Sequence, residues 1–246
     1  MDWPRRKGLT PLATLPHHPI IVALDVENSA QALDLIDKLG DSVDFYKVGM
    51  ELFAAEGTSI VREILGRQKK VFLDLKFHDI PETVKRAVAR AAELGVHLLT
   101  VHAHRQVMEA AVAGKAGSDL KVLGVTVLTS IGENDLADMG YPNGTTIAGL
   151  VQQRVGLGMD AGVDGFVCSP LEVGSVRQQT GSSKILVTPG VRSAGKDQGD
   201  QKRVATPQQA MADGASYLVI GRQITRSANP KIEAEAIQRE ISQPMG

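Results

Sequence analysis

Short runs of aliphatic and β-branched residues recur along the chain, and each is followed by a longer stretch in which apolar residues repeat with helical spacing. This alternation is typical of repeated βα units. The runs predict eight strands, at residues 20–24, 45–48, 71–75, 98–101, 123–127, 165–167, 185–187 and 217–220. A helix is expected after every strand, with the best-defined helical patterns at residues 30–39, 58–65, 82–94, 147–162 and 207–212.

Eight βα units predict a single-domain α/β protein in which the strands close into a (β/α)8 TIM barrel, because a doubly wound open sheet usually has fewer strands. The barrel is expected to span residues 20–246, after an irregular N-terminal lead-in at residues 1–19. The longest connections, residues 131–145 and 193–201, both follow strands. Loops in that position line the active face of a barrel.

Composition narrows the possible partners and the compartment. The 27 basic and 28 acidic side chains nearly cancel, and no segment concentrates the basic ones, so we expect no nucleic-acid or membrane partner. The single cysteine, Cys168, excludes an internal disulfide and fits a reducing compartment, and we interpret it as a small buried residue. No signal-peptide pattern and no apolar run of about 20 residues is present, so a cytoplasmic location is predicted.

The densest group of charges lies at residues 72–81, where the third strand ends. Strand alternation predicts that Asp74 and Lys76 point to one side, and Asp79 falls in the turn before a helix. An isolated Asp-x-Lys pair would be interpreted as a structural ion pair. However, Asp25 and Lys47 end the first two strands, so three consecutive strands bring charges to the rim where barrel enzymes place catalytic groups.

Two further groups of residues have alternative interpretations. Gly190, Gly221 and Arg222 follow the seventh and eighth strands, where barrels usually bind phosphate, although a helix cap and a solvated charge would give the same pattern. Three histidines cluster around strand four and could suggest a metal site. No carboxylate or cysteine joins them at ligand spacing, so we expect packed histidines and no metal; the set is His97, His102 and His104, with His78 interpreted in the same way.

The segment at residues 74–83, Asp-Leu-Lys-Phe-His-Asp-Ile-Pro-Glu-Thr, resembles the signature of the orotidine 5′-monophosphate decarboxylase family. Other family-like motifs follow in the expected order, at residues 23–25, 46–49, 125–130, 188–192, 199–201 and 219–222. The similarity extends over roughly residues 20–225. Glu82 departs from the pattern, because the family has asparagine there, but an acid suits the first turn of a helix.

The resemblance implies a homodimeric carboxy-lyase with shared active sites that converts orotidine 5′-monophosphate to uridine 5′-monophosphate and CO2 in de novo pyrimidine biosynthesis, without metal or cofactor. Lys47, Asp74, Lys76 and the partner's Asp79 are implied to form a charge network, in which Lys76 donates a proton to C6. The implied substrate-binding residues are Asp25, Lys47 and Asp79 at the ribose, Thr129 and Ser130 at the base, Arg192, Gln201, Gly221 and Arg222 at the phosphate, together with Ile80, Thr83 and Pro189.

Two other functions remain as alternatives. Metal-dependent 3-keto-gulonate-6-phosphate decarboxylases and hexulose-phosphate synthases are similar in fold and in the Asp-x-Lys-x-x-Asp pattern, but Lys47 would repel the divalent ion that they use. A nucleotide-binding protein without turnover could dispense with Asp74 or Lys76, and both are present.

Overall fold

Eight parallel strands close into a barrel in sequence order, which confirms the predicted (β/α)8 fold. The computed structural model describes residues 18–195 and 205–243; most of the predicted lead-in therefore lies outside the described residues. The strands are β1 (Ile20–Ala23), β2 (Phe45–Gly49), β3 (Lys70–Phe77), β4 (Leu98–His102), β5 (Lys121–Val125), β6 (Gly165–Val167), β7 (Ile185–Thr188) and β8 (Tyr217–Ile220). Each agrees with its predicted position to within two residues at either end.

Helices separate the strands along the chain. They are α1 (Ser29–Leu39), α2 (Met50–Glu56), α3 (Thr58–Gly66), α4 (Pro81–Leu94), α5 (Arg105–Gly114), α6 (Glu133–Asp138), α7 (Ile147–Ala161), α8 (Val173–Thr180), α9 (Pro207–Ala212), α10 (Arg222–Thr225) and α11 (Pro230–Ser242), with a 3-10 turn at Gly40–Ser42.

Local chemistry explains where several helices begin. The side chains of Asn28, Thr146, Thr206 and Asn229 each accept a hydrogen bond from the backbone N–H three residues later, which satisfies one free donor of the helix end. Helix α6 falls inside the 131–145 segment that was predicted only as a connection. Its six residues are too few to produce a helical repeat of apolar positions.

The apolar residues form two layers, one inside the barrel and one between the strands and the helices. Because side chains alternate along a strand, the interior residues predict which later residues face the barrel mouth. Two positions beyond interior Ala23, Phe45, Phe72 and Val219 come Asp25, Lys47, Asp74 and Gly221. The interior packing therefore aims these residues at the carboxyl ends of the strands. Among the described residues, no helix is both long and apolar enough to cross a membrane.

Candidate active site

A cavity of about 570 Å³ opens at the carboxyl ends of the strands. It brings together most of the residues predicted for the site, from six different strands or the loops that follow them. Those that line it are Asp25, Lys47, Asp74, Lys76, Thr129, Ser130, Pro189, Arg192, Gly221 and Arg222, and the buried Cys168 also borders it. Predicted Gln201 lies outside the described residues.

Lys47 connects two carboxylates at the wall of this cavity. Its Nζ lies 2.9 Å from Asp25 Oδ1 and 3.7 Å from Asp74 Oδ2, and only 11% of its side chain is exposed. Gly49, at the end of the same strand, provides the room, because a Cβ there would lie 2.8 Å from Lys47 Nζ. The two carboxylates therefore hold the ammonium group in a position that is open only because residue 49 has no side chain.

Asp74 is the centre of the charged array. Its Oδ1 lies 2.9 Å from Lys76 Nζ and accepts a hydrogen bond from Thr100 Oγ1 at 2.9 Å. Burial alone would raise the pKa of Asp74, but the charges of Lys47 and Lys76 and these hydrogen bonds outweigh it, so the pKa lies below its ordinary value. Asp74 is thus ionised at neutral pH, and 14% of its side chain is exposed.

Lys76 reaches Asp74 from an irregular backbone. Its φ is +50°, in the left-handed region that residues with a Cβ seldom adopt, and the register between β3 and β4 shifts between Leu73 and Phe77. The Lys76 N–H donates to Thr100 Oγ1 at 2.9 Å. The Thr100 hydroxyl therefore supports both the backbone of Lys76 and the carboxylate of Asp74, and strain of this kind is typical of functional sites.

Sequence reasoning missed three residues of this region. Thr100 is fully buried within β4, and a polar residue inside a predicted strand was the available signal. Glu51 and Arg226 line the cavity from the first turn of α2 and the end of α10, both just after strands. With Arg192 and Arg222, Arg226 gives the side of the cavity after β7 and β8 a strongly basic character.

Asp79, Ile80 and Thr83 are placed apart from the cavity. They lie on the exposed turn and first helical turn after β3, where Asp79 Oδ1 accepts a hydrogen bond from the Ile80 N–H and Ile80 is 67% exposed. Glu82 is exposed in the same turn and lies 3.6 Å from Arg86. Within one chain, this segment lines a separate surface depression with His78 and His104.

Two of the three histidines predicted to cluster around strand four do lie together, but His78 takes the place of His97. His97 precedes β4 and packs edge-on against Phe45, whereas His78 joins the other two, with ring centroids 5.3 Å from His102 and 4.6 Å from His104. The error arose because His97 and His102 are near in sequence but stand at opposite ends of one strand. Burial and then the neighbouring histidines lower the pKa of His102 to about 4, so it is neutral at pH 7. In the part of the chain that the structure describes, no group of three or more potential ligands could hold a metal ion.

Fold and site together define a (β/α)8-barrel enzyme whose cavity combines an alternating row of carboxylates and ammonium groups with a separate group of arginines. The model of the orotidine 5′-phosphate decarboxylase / HUMPS family matches residues 18–237, and the chain belongs to this family.

Individual relatives agree with this assignment. The chain is 48% identical to the orotidine 5′-phosphate decarboxylase of Bradyrhizobium diazoefficiens over 97% of this chain and 100% of that protein. It is 51% identical to that of Rhodopseudomonas palustris (strain BisB5) over 91% of this chain and 94% of that protein. A crystal structure of the Lactobacillus acidophilus orotidine 5′-phosphate decarboxylase superposes with a TM-score of 0.80 at 38% identity, covering 92% of this chain and all of that one. The predicted family and the prediction of a carboxy-lyase are confirmed.

Proposed function

We propose that this protein decarboxylates orotidine 5′-monophosphate to uridine 5′-monophosphate and CO2, the step that produces the uridine nucleotide in pyrimidine biosynthesis. The observation that carries the proposal is the row Asp25–Lys47–Asp74–Lys76, held by contacts of 2.9, 3.7 and 2.9 Å at one side of a cavity that arginines border elsewhere. The substrate has a matching polarity, with a reacting carboxylate on the base and a phosphate at the far end.

The chemical difficulty lies in the electron pair left behind. When the bond between C6 and the carboxylate carbon breaks, CO2 leaves and the pair stays on C6, where no adjacent carbonyl delocalises it well. Lys76 supplies a positive charge beside C6 and then transfers a proton from Nζ to that carbon. The neutral amine regains its proton from solvent after product release, so the enzyme returns to its starting state.

Asp74 has two roles in this mechanism. Its contact with Lys76 fixes the ammonium group before substrate arrives, and preorganised charge of this kind needs no rearrangement during reaction. It also faces the substrate carboxylate, and because the low pKa keeps Asp74 ionised, two like charges approach each other. Loss of CO2 removes that repulsion, which adds a ground-state contribution to the larger electrostatic one.

The other predicted residues hold the remote parts of the substrate. Asp25 and Lys47 bind the ribose hydroxyls, and Thr129 and Ser130 contact the base from the loop after β5. At the phosphate end, Pro189 and Gly221 border the pocket, and we propose from the family resemblance that Gln201 binds the same phosphate as Arg192 and Arg222. These contacts let binding energy far from C6 support the chemical step.

We further infer that two copies of the chain share each active site. In a single chain Asp79 lies outside the cavity, on an exposed turn beside the largely exposed Ile80, so it is available to a second copy. There the partner's Asp79, with Ile80 and Thr83, completes the ribose end and extends the charged row beyond Lys76. A cytoplasmic location and the absence of nucleic-acid partners stay predictions from composition.

Metal-dependent sugar-phosphate chemistry is disfavoured by the position of Lys47. Its ammonium group lies between the carboxylates of Asp25 and Asp74, where a divalent ion would otherwise bind. We therefore propose that neither metal nor cofactor takes part, and that activity persists in excess EDTA.

The direct test follows the ultraviolet absorbance of orotidine 5′-monophosphate with EDTA-treated protein and identifies the product by mass spectrometry. Wild type is expected to release one CO2 per nucleotide, and Lys76→Ala to lose at least about 10³-fold in kcat while still binding nucleotide. Normal turnover by Lys76→Ala would refute its role as proton donor. Binding without turnover by wild type would instead favour a nucleotide-binding protein.

Sharing of the site is tested by mixing inactive variants. Lys76→Ala and Asp79→Ala subunits, exchanged at equal amounts, form hybrid dimers with one intact site, so about a quarter of wild-type activity is expected to return. No recovery, with subunit exchange verified by mass, would contradict a shared site.

A further inference from the structure

Two arginines of the cavity are each followed in the chain by a polar residue, and these two polar residues bind each other. Ser193 follows Arg192, and Gln223 follows Arg222. The Ser193 N–H donates to Gln223 Oε1 at 3.1 Å, and Gln223 Nε2 donates to Ser193 Oγ at 2.9 Å. The loop after β7 is thus joined to α10 by two reciprocal hydrogen bonds immediately beside the arginines.

Helix α11 holds this pair from behind. Gln223 Nε2 gives a second hydrogen bond to Glu233 Oε1 at 2.9 Å, and Ser193 Oγ donates to Glu240 Oε2 at 2.6 Å. The network fixes the orientation of the Gln223 amide, because turning it over would bring an NH2 group against the Ser193 N–H. Both side chains are half-buried, so these contacts are partly shielded from water.

Backbone contacts hold the other side of Arg192. Its N–H donates to Ala205 O at 3.0 Å, and Val191 and Ala205 form an isolated parallel bridge. Backbone contacts with Ala205 and the Ser193–Gln223 pair therefore both contribute to the position of Arg192 relative to Arg222. Neither Ser193 nor Gln223 lines the cavity.

We propose that Ser193 and Gln223 are positioning residues for recognition of the substrate phosphate. The pair holds the backbones of Arg192 and Arg222 at a fixed separation, so that both guanidinium groups meet one phosphate dianion. This inference rests on the proposed function, in which these arginines bind that phosphate. Two like charges repel in the empty site, so an anchor independent of the anion keeps them together and spares the cost of ordering them on binding.

Loss of the pair should weaken only recognition of the phosphate, so substrates with and without a phosphate can be compared. Gln223→Ala removes both reciprocal hydrogen bonds and is expected to lower kcat/KM for orotidine 5′-monophosphate about tenfold, mainly through KM, which corresponds to about 1.4 kcal/mol. Turnover of orotidine, which lacks the phosphate, is expected to stay at the wild-type level. A merely structural role would lower both rates together, and equal losses, or no loss, would overturn the proposal.

Matched variants separate positioning from general stability. Ser193→Ala keeps the N–H contact and is expected to lose less, Ser193→Thr restores the hydroxyl, and the double variant with Gln223→Ala should be no worse than Gln223→Ala alone. Gln238→Ala is the control, because Gln238 Nε2 donates to Ser42 O at 2.6 Å and anchors α11 away from the arginines. Gln238→Ala should lower Tm without changing the ratio of kcat/KM for orotidine 5′-monophosphate to kcat/KM for orotidine.

Measurements of ligand binding test the positioning role independently of the proposed reaction. If wild type does not turn over orotidine 5′-monophosphate, the proposed reaction fails, and the pair is assessed from the Kd values of uridine 5′-monophosphate and uridine by calorimetry. A preference for the phosphorylated ligand that falls about tenfold in Gln223→Ala supports the positioning role. An unchanged preference, or no preference in wild type, overturns it.

Discussion

Substitution of Gly49 by alanine perturbs the charged row without touching a charged residue. Gly49 has φ of −93° and ψ of −177°, an extended backbone that alanine adopts freely. The new methyl group would lie 2.8 Å from Lys47 Nζ and 3.1 Å from Asp25 Oδ1. These atoms belong to the ends of side chains, so they can move while the strand keeps its place.

The size of the displacement follows from these distances. To restore ordinary contact at 3.4 Å, Lys47 Nζ must retreat by about 0.6 Å, and Asp25 must shift by about half as much. Lys47 is only 11% exposed and already lies 3.7 Å from Asp74, so retreat weakens one of its two ion pairs. Misplacement of a catalytic group by about 1 Å can cost about 10²-fold in rate. We therefore expect Gly49→Ala to lower kcat/KM by about 10 to 10²-fold.

The assay compares decarboxylation kinetics and thermal unfolding of Gly49→Ala with those of Gly66→Ala. Gly66 ends α3, and a Cβ there would meet no atom within 4 Å, so this control should match wild type in rate. Gly49→Ala should keep nearly the wild-type Tm. Wild-type kinetics in Gly49→Ala would refute the claim that the position of Lys47 matters for the reaction, and a large fall in Tm would refute the claim that only side-chain ends move.

Three further predictions concern the same barrel. Thr100→Val keeps the shape but removes the hydroxyl on Asp74, so kcat/KM should fall about tenfold and unfolding free energy by about 1–2 kcal/mol; unchanged kinetics would contradict this. Gly165→Ala would place a Cβ 1.9 Å from Ile185 O, so the denaturation midpoint should drop by an amount equivalent to about 3 kcal/mol, and a wild-type midpoint would count against it. His102 should titrate at about pH 4 by NMR rather than near 6.5; because the unfolded chain takes up this proton first, its contribution to stability is lost as pH falls from 6.5 to 4.

The strands and helices could be predicted because the residue types follow the period of two of a strand and the helical period of about 3.6. The same alternation that buries Phe45 and Phe72 inside the barrel carries Lys47 and Asp74 to its mouth. A sequence pattern of period two therefore specified both the interior layer and the rim. The alignment of neighbouring strands then brought these charges within contact distance, with Gly49 opposite Asp74 in the register of β2 and β3.

Other features depend on contacts between distant residues and leave little trace in a local pattern. Alternation alone predicted that Asp74 and Lys76 face one side, but the strand between them is irregular, with Lys76 at positive φ. That conformation needs a partner for the Lys76 N–H, which Thr100 supplies from the next strand. The pairing of Ser193 with Gln223 was equally hidden, because 30 residues separate them.

In the proposed reaction, the distribution of charge gives two parts of the cavity different tasks. Asp25, Lys47, Asp74 and Lys76 cancel one another, so this row offers little net attraction to a substrate that is itself anionic. The arginines after β7 and β8 give another part of the cavity its positive character. Attraction of the phosphate there can hold the substrate carboxylate against Asp74, an approach that the row alone would oppose. A loosened arginine pair should therefore lower kcat/KM for the phosphorylated substrate even though every group beside C6 stays in place.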